Sequence, residues 1–147
     1  MRTEFPGQVA VVYRHSPLAS HPFAVAAARA SECAGRQDRF EAYHDALFVE
    51  QESIGLASWT RFATEAALPD IPAFERCLAD AGPSDNLGRD TLDARRLRVD
   101  GTPTFLVNGL RFDGTPPLEM LRAYVRRAVA AAEPPGSEEL AARQRTR

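Results

Sequence analysis

Residues 99–109 read V-D-G-T-P-T-F-L-V-N-G. A Gly-Thr-Pro turn feeds an apolar run rich in β-branched and aromatic side chains. That run meets Asn108-Gly109, the dipeptide favoured at the centre of a type I′ hairpin. The stretch predicts a strand over residues 102–107, a two-residue turn and a return strand over residues 110–113. Pro103, taken on its own, reads as a turn proline at a strand start.

Upstream of the hairpin the pattern is helical for a long way. Ser20 and Pro22 suit the start of a helix through the Ala-rich stretch to Ala34, with Gly35 placed to stop it. Phe40, Tyr43, His44, Leu47 and Phe48 recur at helical spacing within residues 37–51. Ser58 is placed to cap a third helix with Trp59, Phe62, Ala63 and Ala66 inward. Asp70 and Pro72 open a fourth that carries Phe74, Cys77, Leu78 and Ala81 and stops at Gly82. A fifth runs from Ser84 with Leu87, Thr91, Ala94 and Leu97 on one side. Residues 8–14, Q-V-A-V-V-Y-R, precede all of these and read as a buried strand. After the hairpin, Thr115 and Pro116 open a last helix with Leu118, Leu121, Val125, Ala128, Val129 and Ala132 inward. Pro134-Pro135-Gly136 closes it, and an Arg-rich disordered tail follows. The order is strand, helical block, antiparallel hairpin, helix: an α/β sheet interrupted by a helical insertion at about residues 20–98, one domain over residues 1–133 and a tail over residues 134–147.

Composition narrows the function classes. The 147 residues suffice for one core, and a 44% apolar, 26% charged make-up is that of a globular protein. The formal net charge is −2 and the arginines are scattered, which gives no footprint for nucleic acid. No run approaches the roughly 18 apolar residues of a membrane span, and M-R-T-E-F-P-G lacks a signal-peptide core, so the sequence reads as cytoplasmic, with no membrane partner. His15, His21 and His44 match no zinc or iron spacing, so no metal is expected, and no residue pattern calls for a cofactor. Cys33 and Cys77 form no C-x-x-C. Both read as buried core thiols, with a disulfide between two insertion helices as the open alternative.

Four strings together resemble the DsbA family of thioredoxin-like thiol-disulfide oxidoreductases: V-V-Y-R-H-S-P-L-A-S-H-P at 11–22, A-A-A-R-A-S-E-C-A at 26–34, R-F-E-A-Y-H-D-A-L-F at 39–48 and V-D-G-T-P-T-F-L-V-N-G at 99–109. The resemblance implies a thioredoxin-like fold with a helical insertion. It also makes Pro103 a cis-proline whose neighbour Thr102 pairs with a bound thiol-containing protein or glutathione. Thr102 and Pro103 are thus the expected substrate-binding residues. The family's other half-site, a first strand leading to C-x-x-C, belongs ahead of residues 8–14. The resemblance therefore implies an N-terminally truncated member with an incomplete sheet, no catalytic residue and R-T-E-F-P-G as the last turn of a lost helix.

Without a first strand, the strands at residues 9–13 and 103–107 would stand about 9 to 10 Å apart, twice the ladder spacing. The expectation is a marginal chain that aggregates, or forms a homo-oligomer through the open sheet. Three functions follow: an oxidoreductase deprived of its cysteine pair, a non-catalytic binding module built on the Thr102-Pro103 edge, or a kappa-type glutathione-dependent transferase or isomerase.

Overall fold

The structure, a computed structural model, describes residues 1–80, 82 and 85–132. In chain order the elements are α1 (Ala24–Gly35), α2 (Phe40–Val49), a 3-10 turn (Gln51–Ser53), α3 (Trp59–Glu65), α4 (Ile71–Ala79), α5 (Asp85–Arg96), β1 (Thr104–Val107), β2 (Leu110–Asp113) and α6 (Leu118–Ala132). They fall into two compact units, Arg14–Asp100 and Met1–Tyr13 with Gly101–Arg147.

The unit Arg14–Asp100 is the helical block. Its core is built on Tyr43, Phe62 and Phe74, all fully buried, with Ala30, Ala34, Ala63 and Leu68 around them. The Tyr43 ring lies 5.4 Å from that of Phe74 and 6.4 Å from that of Phe62, distances typical of tilted and edge-on aromatic pairs. The Tyr43 hydroxyl donates to the Trp59 carbonyl at 3.0 Å, so the one polar atom of that ring is satisfied. Small alanines on α1 let α2 and α4 pack closely against it. Two helix starts follow the local chemistry: the Ser58 hydroxyl accepts from the Arg61 N–H, and the Asp70 carboxylate accepts from the Ala73 N–H with Pro72 behind it.

Other boundaries differ from expectation. α1 begins at Ala24 after Phe23, with no side-chain cap, so Ser20 and Pro22 lie in the turn ahead of it. Gly35 is the last helical residue rather than the stop. The chain leaves α1 through Asp38, which takes the left-handed conformation at φ 58° while the Arg39 N–H returns to the Ala34 carbonyl. On α2, Tyr43 and Leu47 are buried but Phe48 is 66% exposed, because it sits where the apolar arc turns to solvent and covers His44 instead. Leu97 and Leu118 are exposed, and α6 buries Val125 while Ala132 faces outward. The Ser84 cap, Ala81, the Pro134-Pro135-Gly136 stop and the tail over residues 134–147 lie outside the described residues.

In the second unit, β1 and β2 pair antiparallel with Val107 opposite Leu110 and Thr104 opposite Asp113. Asn108 and Gly109 both have positive φ, 46° and 88°, as a type I′ turn requires. The N-terminal residues form turns in which the Phe5 N–H donates to the Met1 carbonyl. Residues 8–14 correct the sequence reading: they form no strand, and Val11 and Val12 are 63% and 70% exposed. Strand structure needs a partner ladder, and the sheet among the described residues has only β1 and β2.

Candidate functional site

Thr102 and Pro103 lie where the chain enters β1, and both are exposed. The Thr102-Pro103 peptide is cis. Two bonds hold the entry. The Pro103 carbonyl accepts from the Gly114 N–H at 2.8 Å, and the Thr104 hydroxyl donates to the Gly101 carbonyl at 2.8 Å. The first extends the hairpin pairing by one step beyond Thr104 and Asp113.

Register then decides which backbone groups face outward. In an antiparallel hairpin closed by a two-residue turn, the pair beside the turn exchanges both hydrogen bonds, and bonded and non-bonded pairs alternate from there. Val107 with Leu110 and Phe105 with Phe112 are the bonded pairs. The N–H and C=O groups of Thr104 and Leu106 therefore point away from β2. β1 has no second strand neighbour among the described residues. The result is a short free edge that begins at Thr102-Pro103. On the flank, Arg111 donates to Asp113 at 2.7 Å, and Phe112 meets Tyr124 of α6 edge-on at 5.1 Å.

Cys33 of α1 and Cys77 of α4 form a disulfide, with S–S 1.98 Å and Cα–Cα 5.8 Å. Burial of Cys33 agrees with its sequence reading, and the open alternative of pairing is what the structure shows. The bridge borders two depressions that share Arg36 and Asp80, one lined also by Arg29 and Glu32 and the other by Gln37 and Arg76. These arginines were not singled out in the sequence, although Arg29 and Arg36 stand four residues before and three after Cys33, on its own helical face.

The histidines are not brought together. His15 is buried, with its Nε2 3.0 Å from Glu32 and its backbone N–H donating to Asp90 at 2.9 Å. His44 lies 3.2 Å from Asp45, and His21 is exposed. Among the described residues no three His, Cys, Asp or Glu side chains gather to hold a metal ion. Asp90 also accepts from Arg14 at 2.8 Å, and that bond makes the Arg14 guanidinium hold its proton more tightly than usual. Among the described residues no helix is long and apolar enough to cross a membrane.

Comparison with known proteins places this arrangement. The Na(+)/H(+) antiporter NhaA 3 of Salinispora tropica is 39% identical over 134 residues, covering 89% of this chain and 20% of its own length. The Na(+)/H(+) antiporter NhaA 1 of Salinispora arenicola is 39% identical over 120 residues, covering 81% and 18%. A more distant Na(+)/H(+) antiporter NhaA, from Herminiimonas arsenicoxydans, is 32% identical over 115 residues, covering 78% and 18%. The chain spans about a fifth of the length of the relatives it matches. A family model described as thioredoxin matches residues 2–127, from the N-terminal turns through the helical block and hairpin and well into α6. With six α-helices and a two-stranded antiparallel sheet among its described residues, the chain belongs to the thioredoxin family, as a member with an incomplete sheet.

Proposed function

We propose that this chain is a DsbA-like thioredoxin module that binds extended thiol-containing polypeptides, or glutathione, along its β1 edge, with no dithiol reaction at that edge. The single observation that carries the reading is the free edge of β1. Thr102 and Pro103 are exposed at its start, and the register turns the backbone groups of Thr104 and Leu106 outward. A peptide laid along that edge would satisfy those groups by strand addition, and exposed Leu106 would give it an apolar contact. Cys33 and Cys77 both belong to the helical block and not to the unit that carries β1, so on this reading the edge holds the bound thiol.

Backbone amide spectra test this. A reduced cysteine-containing peptide in extended form should shift the Thr102, Thr104 and Leu106 signals and leave those of α1 to α5 in place. Leu106→Pro removes an outward N–H without breaking a pair with β2, so the hairpin should persist while the shifts disappear. Shifts that survive in Leu106→Pro, or that centre on the helical block, would overturn the reading.

A second reading is favoured by the relatives, which carry the name of a sodium/proton antiporter. On it, this thioredoxin-like module works beside such an antiporter and couples it to thiol state. Co-expression with an antiporter of that family from the same cell, followed by affinity capture of the antiporter, should retain the chain. Loss of capture in Leu106→Pro would join the two readings at one surface.

A further inference from the structure

The depressions beside the disulfide lie on the helical block, the unit that does not carry the β1 edge. Cys33 is 5% exposed, whereas Cys77 is partly exposed, so an incoming nucleophile meets the Cys77 sulfur first. The carbonyl ends of α1 and α4 converge there, and helix C-termini alone disfavour an anion. The arginines reverse that. Arg36 stands at the end of α1 and Arg76 in the last turn of α4, and neither guanidinium has an ion-pair or hydrogen-bond partner among the described residues. Arg29 donates to the Asp80 backbone carbonyl, which leaves its charge uncompensated by that bond. Of the two acids on the rim, Glu32 faces His15 and Asn86, and the Asp80 carboxylate accepts from the Gly82 N–H.

We infer that Cys33–Cys77 is an exchange site for small anionic thiols, with Arg36 and Arg76 drawing the thiol's carboxylates to Cys77, the more accessible half of the bridge. The thiolate attacks Cys77 Sγ and forms a mixed disulfide. The S–S bond breaks and its electron pair leaves on Cys33 as a thiolate. A second thiolate then attacks the thiol's own sulfur in the mixed disulfide, releasing the small-molecule disulfide and the Cys77 thiolate. Two small thiols are oxidised, the bridge is reduced to two thiols, and the protons lost by the former are taken up by the latter. The site is independent of the β1 edge.

The experiment uses the full oxidised chain with glutathione, 2-mercaptoethanol and cysteamine at equal thiolate concentration, with thiols trapped by alkylation and mapped by mass spectrometry. Glutathione should react about tenfold faster than cysteamine at low salt, from the opposite signs of charge brought to the arginines. That ratio should collapse toward one in high salt and in Arg36→Gln/Arg76→Gln, whose far-ultraviolet circular dichroism should match the parent. The trapped adduct should map to Cys77. Equal rates for the three thiols, an unchanged ratio in the double variant, an adduct on Cys33, or a bridge reduced only after unfolding would each overturn the inference.

Discussion

Asp90 shows what one buried carboxylate can organise. It is 4% exposed and joins Arg14 and the His15 N–H to α5. Replacing it by alanine strands the buried His15 N–H, an unmet donor that costs about 1 to 3 kcal/mol. Urea unfolding of Asp90→Ala should show that loss, and Asp90→Asn a smaller one. Tyr43 gives a second residue-scale expectation. Burial pushes its phenol well above the ordinary tyrosine value, because ionising it would put a charge in the aromatic core. The folded state thus keeps a proton that the unfolded state gives up from about pH 10. Stability should fall as pH rises from that point, and Tyr43→Phe should flatten the fall; denaturant midpoints across that range measure both. In the second unit, hydrogen bonds from Arg122 hold the exposed Glu4 carboxyl below its usual range. Its contribution is present above the ordinary carboxylate value and is lost on acidification.

At the scale of elements, the disulfide ties α1 to α4 across a sequence separation of 44 residues. The chain-entropy account gives about 4 kcal/mol for a loop of that size. Cys33→Ser with Cys77→Ser should lower the unfolding free energy by that order, measured by denaturant titration of the helical signal. Legibility in the sequence divides along the same line. Ser58, Asp70 and Asn108-Gly109 are readable because the cap or turn that each forms is made within three residues of itself. The sequence leaves the Cys33–Cys77 bridge open because it depends on how α1 meets α4, which neither segment encodes alone. Residues 8–14 have the composition of a strand, but a strand exists only where another accepts its hydrogen bonds. Gly35 misled for a subtler reason: the left-handed exit falls at Asp38, three residues on, and aspartate tolerates that conformation well enough to replace glycine. Of the site, Thr102 and Pro103 were marked by family resemblance, whereas the arginines around the bridge were hidden in a chain rich in arginine.

Across the whole molecule, apolar burial is uneven. Every residue of the main core cluster lies in Arg14–Asp100, while the second unit buries Val125 and exposes Val11, Val12 and Leu106. A fragment of residues 14–100 should therefore keep its helical circular dichroism and melt cooperatively, since domains of that size hold a core unaided. In the full chain, amides of α1 to α4 should exchange far more slowly than those of the hairpin. A hairpin as slow as α2 would contradict this picture. The chain has one tryptophan, Trp59, whose ring stands 6.1 Å from Phe62 and whose carbonyl receives the Tyr43 hydroxyl. Its indole is consequently a built-in gauge. Emission excited selectively at tryptophan follows the helical block alone, circular dichroism averages over both units, and the gap between the two unfolding curves measures how independently the hairpin lets go.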